Sequence, residues 1–319
     1  MRDVTKDTLT QAFLDFMGPE TSPRVRFVLE RLASHLHDFA RETELTHEEW
    51  RKGIELLTRA GAITTPERNE FVLFSDVLGL SSLVDMIHSP KGVTNSSVLG
   101  PFHITGAPDL AVGGDLKGDN EGLAVLVRGH VANATGDPIG DAVIEIWQTA
   151  DNGLYSNQDE AQADYNLRAR MKTGADGRYA FTTIRPAPYT VPDDGPVGEL
   201  LRATGRHPWR PSHLHFIVEA QGYRTLVTEV FPSDDPYLDQ DAVFGVRDDL
   251  IMHYREETDP DPDIVKLAKS MKFDFGKFDY VIHESQPILL DTNKTPGAGT
   301  APAFFAMCRR WAKGIHEYL

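Results

Sequence analysis

The chain has almost no cysteine. Cys308 is the single one among 319 residues, so no internal disulfide can form and a zinc site built on cysteines is excluded. Positive charge is scarce as well. Lys and Arg number 32 against 48 Asp and Glu, a formal net charge of −16. No basic cluster offsets that balance, which argues against nucleic acid or an anionic membrane as a partner. No apolar run approaches the roughly 20 residues of a bilayer-spanning helix. No apolar segment follows Met1–Asp7 either, so a secretory signal is not expected. A reducing, cytoplasmic location is the expectation these absences leave.

What is present is enough apolar material, 40% of residues, for a substantial core, arranged in two different periods. The first 90 residues read as helices. Ser22-Pro23 is a cap followed by proline at the first helical position, and Val25, Val28, Leu29, Leu32, Leu36 and Phe39 recur at helical spacing. Thr46-His47-Glu48-Glu49 is a capping box whose helix runs through Ile54 and Leu57 to Gly61. Thr65-Pro66 opens a further helix carrying Phe71, Phe74, Leu78, Leu83 and Met86. From about Leu123 the period changes to two. Ala124 to Val131, Ala142 to Trp147, Arg178 to Ile184, His213 to Ala220 and Thr225 to Phe231 are predicted strands separated by turn residues. Pro186 to Pro211 is Pro- and Gly-dense and reads as a long functional loop. Ala303 to Leu319 has a helical apolar pattern. The expected fold is α+β: a helical domain over residues 1–95, then a β-sandwich domain over residues 96–319 with a helical tail.

The chemistry concentrates at Arg210-Pro211-Ser212-His213-Leu214-His215. Side chains alternate along a strand, so His213 and His215 point the same way, with a guanidinium three residues upstream. That is a candidate metal site wanting further ligands. Glu219 lies on the same face but roughly 13 Å along the strand, too far to share an ion. The Asp193-Asp194 loop remains open on spacing alone.

Four blocks resemble the intradiol ring-cleavage dioxygenases, non-haem ferric enzymes that open catechols between their two hydroxyls. They are Leu99 to Phe102, Ile144 to Ser156, Gly177 to Tyr189, and the histidine stretch to Gly222-Tyr223. They occur in family order and span roughly residues 70 to 250. The resemblance implies a ferric ion, one per subunit, held by Tyr155, Tyr189, His213 and His215. Tyrosinate oxygens are hard anionic donors suited to Fe³⁺. It also implies Tyr189 as a ligand that leaves to take a substrate proton, and Arg210 as an electrostatic stabiliser of charge developing on the ring. Relatives that cleave catechol often carry glutamine where this chain has Glu229, so no role is carried over to that residue. The helical N-terminus is similar to the part that forms a homodimer interface in the family and holds a phospholipid there.

Phe71 to Asp76 and Phe231 to Val246 resemble the hydroxyquinol branch. There the residues matching Leu73, Asp76, Val98, Leu99, Gly100, Pro101, Phe102, Val191, Pro192, Arg210 and Val243 line the substrate pocket. Asp76 carries the substrate expectation, because a carboxylate facing an aromatic pocket accepts a hydrogen bond from a third ring hydroxyl. The alternatives are a catechol or chlorocatechol 1,2-dioxygenase and, from another class, a non-catalytic β-sandwich binding module.

Overall fold

A computed structural model describes residues 3–65, 68–90 and 92–254, with the backbone of Lys277–His283 and Gln286–Asn293. It divides into two compact units, Met1–Ala62 and Ile63–Leu319. The helical pattern expected after Ala303, and Cys308 with it, lie outside the described residues.

The first unit holds α1 (Leu9–Asp15), α2 (Pro23–Glu42) and most of α3 (His47–Ile63). Ser22 Oγ accepts from the Val25 N–H at 3.4 Å, with Pro23 in the first turn. The capping box forms as the sequence requires. The Thr46 N–H donates to Glu49 Oε2 at 2.9 Å, and the Glu49 N–H donates to Thr46 Oγ1 at 3.2 Å. The apolar stripe of α2 stays exposed: Val25, Val28, Leu29, Leu32, Leu36 and Phe39 all face outward, and only Ala33 is buried.

The second unit begins with two helices where one was expected. α4 (Glu70–Val77) starts at Asn69, whose Oδ1 accepts from the Phe71 and Val72 N–H groups at 3.1 Å. Asn69 therefore replaces Thr65-Pro66 as the start, Pro66 itself lying outside the described residues. α5 (Leu80–His88) follows after Gly79, which at φ 75° is left-handed and breaks the helix.

Two sheets then pack face to face. β1 (Gly114–Asp115), β5 (Arg178–Ile184) and β2 (Ala124–His130) form one, in the order β1-β5-β2. The other runs β10-β9-β8-β3-β4, from β3 (Val143–Trp147), β4 (Arg168–Lys172), β8 (Leu214–Glu219), β9 (Leu226–Pro232) and β10 (Ile251–Met252). Ile144, Ile146, Met171, Leu214 and Phe216 of this sheet meet Phe181 and Val127 of the other across one core. β4 escaped the sequence reading because Arg168, Arg170 and Lys172 mask the alternation of Ala169 and Met171. The Pro- and Gly-dense segment is not structureless. It holds β6 (Tyr189–Thr190) paired with β7 (Trp209–Arg210), and between them α6 (Pro196–Ala203). β11 (Lys277–His283) and β12 (Gln286–Asn293) form an antiparallel hairpin.

Candidate metal and substrate site

Alternation along β8 sorts its residues. Leu214 and Phe216 enter the sandwich core, so His213 and His215 emerge on the opposite face, both buried. Trp147 is the register partner of His215 and stacks on its ring at 4.6 Å and 4°. Tyr155 comes from the turn after β3, where Gly153 sits at φ 78°. A Cβ there would lie 3.2 Å from the Pro188 carbonyl oxygen and 3.6 Å from Tyr189 Cβ, so glycine lets the two tyrosine segments touch.

Three donor atoms close a triangle. Tyr155 Oη is 3.3 Å from His213 Nε2 and 3.1 Å from His215 Nε2, and the two nitrogens are 3.1 Å apart. Two ligands at about 2.1 Å from one ion, set at right angles, stand about 3.0 Å apart, so the spacing suits a first-row metal. His213 Nδ1 lies 2.7 Å from the Pro211 carbonyl oxygen, which can only accept. His213 Nδ1 therefore holds the proton and Nε2 presents a lone pair to the triangle. Burial lowers the pKa of His213 and lowers that of His215 further, with help from His213 and Arg210 for the latter; both imidazoles are neutral and able to ligate. Tyr189 brings a second phenol to the group. Its ring packs edge-on to Tyr155 at 5.5 Å, and burial raises both phenols, Tyr155 well above its usual value. A bound cation reverses that direction for a ligating phenol.

Arg210 is not a bare cation. It is fully buried, with Nη1 donating to Glu229 Oε1 at 2.9 Å, Nη2 to Glu229 Oε2 at 3.0 Å and Nε to Asp241 Oδ1 at 3.1 Å. Burial alone would lower it, but Asp241 and Glu229 outweigh burial and hold it well above its ordinary value. Nη1 still reaches Tyr189 Oη at 3.4 Å and His213 Nε2 at 3.3 Å. Glu229 is completely buried and also accepts from Ser97 Oγ at 2.8 Å. Its Oε1 stands 3.4 Å from His215 Nδ1, on the side of that ring away from Tyr155. His213, His215 and Glu229 thus form a second set of buried donors, within 4.8 Å of one another. Gly245 is required beside this cluster, since a Cβ there would lie 2.7 Å from Arg210 Nη2.

The expected pocket residues divide. Phe102 is buried and stacks on Tyr155 at 4.8 Å. Gly100 lies beside the site, where an added Cβ would make ordinary contact with His215 Cε1 at 3.5 Å. Leu73, Asp76, Val98, Val191 and Val243 are buried and Pro192 half-buried, whereas Leu99 and Pro101 are exposed. Burial raises the Asp76 carboxyl, and nearby Glu229 and Asp241 add to this against Ser81 and Arg210. A 470 Å³ cleft behind Asp241, lined by residues such as Arg206, His207 and Phe244, takes in none of the expected metal or pocket residues. Asp194 pairs with Arg68 at 2.6 Å and Glu219 is exposed; neither is a ligand. Trp209 stacks on Tyr237 at 5.0 Å and His207 bonds Gln240, which makes both loop-fixing residues.

Sequence reasoning gave Glu229, Asp241, Ser97 and Gly245 no place in the site. For Glu229 a signal existed: a lone carboxylate inside the apolar run Leu226–Pro232 must find a buried partner.

Comparison with known proteins agrees with this architecture. A family profile described as "Dioxygenase" matches residues 100–283, and one described as "Catechol dioxygenase N terminus" matches residues 22–95. Among curated proteins, a 6-chlorohydroxyquinol 1,2-dioxygenase of Cupriavidus pinatubonensis is 47% identical, over 81% of this chain and 95% of its own. A hydroxyquinol 1,2-dioxygenase of a Rhizobium species is 44% identical, over 82% of this chain and 88% of its own. A solved hydroxyquinol 1,2-dioxygenase from Pseudomonas putida superposes with a TM-score of 0.77 at 45% identity, covering 81% of this chain and 91% of that one. The fold and the matches define a dioxygenase with a helical N-terminal region. More narrowly, the chain belongs to the intradiol ring-cleavage dioxygenase family.

Proposed function

We propose that this protein cleaves hydroxyquinol (benzene-1,2,4-triol) with O₂ between its adjacent hydroxyls, giving 3-hydroxy-cis,cis-muconate, which tautomerises to maleylacetate. Both oxygen atoms end in the product, so no external reductant is needed. The observation that carries this reading is the convergence of Tyr155 Oη, His213 Nε2 and His215 Nε2, with Tyr189 packed alongside. We assign Tyr155, Tyr189, His213 and His215 as ligands of a single Fe³⁺. Glu229 is the weaker ligand candidate because both of its oxygens already serve Arg210 and one also serves Ser97. A ferric ion would supply the Lewis acidity and electron-accepting capacity that the diol and O₂ require.

The chain's own groups do the rest. Tyr189 receives a substrate hydroxyl proton at Oη, and Arg210 Nη1, 3.4 Å away, steadies that oxygen while it is charged. Glu229 and Asp241 hold the guanidinium rigid, so its N–H groups are already oriented when charge develops on the ring. Phe102, Val191 and Val243 supply buried apolar walls. Asp76 receives the third hydroxyl, which plain catechol lacks. The exposed stripe of α2 supports assembly as a homodimer through the N-terminal helices, with a bound phospholipid there. The composition fits a cytoplasmic enzyme, and among the described residues no single helix is long and apolar enough to cross a membrane.

Two measurements test this. Purified protein should be red-brown from tyrosinate-to-Fe³⁺ charge transfer, and the band should shift on anaerobic addition of hydroxyquinol. Oxygen uptake should show a higher kcat/KM for hydroxyquinol than for catechol. The reverse preference would make it a catechol-type enzyme, and a colourless, iron-free protein that still binds the triol would make it a binding module.

A further inference from the structure

Among the described residues of the second unit, one buried cation has no carboxylate partner. Arg168 opens β4 opposite Trp147 and is only 3% exposed. Its guanidinium lies over the Tyr155 ring, 5.8 Å from the centroid. Nε donates to Ser156 Oγ at 2.8 Å and Nη2 to Asn157 Oδ1 at 3.0 Å, both neutral acceptors. Nη1 has no hydrogen-bond partner among the described residues, and no carboxylate among them pairs with Arg168. Burial pushes its pKa down to about 10, which leaves it charged at neutral pH. Arg210 in the same site shows the usual arrangement, two carboxylates for one buried guanidinium. The turn leading into Arg168 is strained as well. Tyr165 and Leu167, neither of them glycine, sit at φ 57° and 54°. Strain of this kind persists where a side chain must be delivered to a defined place.

We propose that Arg168 is a positioning residue of the metal centre. Its fixed positive charge, set over the Tyr155 ring, answers the phenolate charge that Tyr155 carries as a ligand and so favours the position in which Oη meets His213 and His215. This rests on the ferric tyrosinate reading above. It explains why a guanidinium is buried here with only neutral partners: its anionic neighbour is the Tyr155 phenolate, formed when the phenol gives up its proton to become a ligand.

The test uses the full iron-loaded chain in three forms: wild type, R168Q and R168K. R168Q keeps the capacity to hydrogen-bond Ser156 and Asn157 but removes the charge. Without that charge the phenolate electrons rise in energy, so the visible band of R168Q should move to longer wavelength. R168Q should also lose iron to a chelator at least about tenfold faster. R168K should stay close to wild type in both readouts. Should R168Q not accumulate as folded protein, R168M fills similar space without charge and reads the same shift. A coloured wild type with an unshifted band and unchanged iron loss in the neutral variant overturns the role of Arg168 alone, as does R168K behaving like R168Q. A colourless wild type overturns the tyrosinate reading and this inference with it.

Discussion

Asp76 shows how much one side chain can decide. It is buried on α4, and burial raises its carboxyl against a hydrogen bond to Ser81, so leaving its remaining oxygen without a partner is costly. A third ring hydroxyl supplies that partner and plain catechol does not. Asp76→Ala should therefore reduce the preference for hydroxyquinol over catechol by about 5- to 150-fold, the equivalent of about 1–3 kcal/mol. Oxygen uptake on both substrates reads the ratio, and an unchanged ratio would remove Asp76 from substrate choice. The histidines stood out in the sequence because they lie two apart on a strand, whereas Tyr155 and Tyr189 came only with the resemblance of whole blocks to the family. Asp241 and Arg168 could not be found, and for Glu229 the apolar run signalled burial without showing the partner. Their roles depend on which strand lies beside theirs, and the one-dimensional pattern does not carry that information.

At the scale of elements, Glu70 links α4 to the segment bearing Tyr189. It is completely buried, accepts from the Val197 N–H in the first turn of α6 at 3.0 Å, and meets Arg68, which clasps Asp194 at 2.6 and 3.1 Å. Glu70→Ala leaves a buried N–H and part of Arg68 without partners. It should cost about 1–3 kcal/mol in thermal or urea unfolding, and Glu70→Gln less, because an amide oxygen still accepts from Val197. Equal losses in both variants would place the whole effect on the Arg68 ion pair instead. Element ends written in caps were legible: Ser22 and the Thr46–Glu49 box start helices where the sequence puts them. The break at Gly79 was not. An apolar pattern continues through it, and only the backbone turn at φ 75° separates α4 from α5.

For the whole molecule, acid sensitivity follows from the site. His213 and His215 have depressed values in the folded state, so their contribution to stability is fully present above the unfolded histidine value of about 6.5. It is lost as pH falls toward their folded values, because the unfolded chain then binds more protons. The Tm of the metal-free protein should fall on acidification from about pH 7 to 5, and His215→Asn should make that slope shallower. Parallel slopes would show that these histidines do not govern the acid limb. The sandwich also explains why one sheet face serves packing and the other chemistry. The period-two pattern of β3 and β8 sends Ile144, Ile146, Leu214 and Phe216 one way, and Trp147, His213 and His215 the other.

The two tyrosines rested on the family resemblance; local order along the chain was enough to assign the helical first part, the main strands, the change of period between them and the histidine pair. Those properties depend on neighbours within a few residues, through caps, turns and alternation. Tertiary structure alone decided that Arg210 would be locked by Glu229 and Asp241, that Leu99 and Pro101 would face outward, and that Arg168 would lie over the Tyr155 ring with no carboxylate partner among the described residues. Each of these depends on contacts between segments far apart in sequence, and burial of a charge is set by what surrounds it in space.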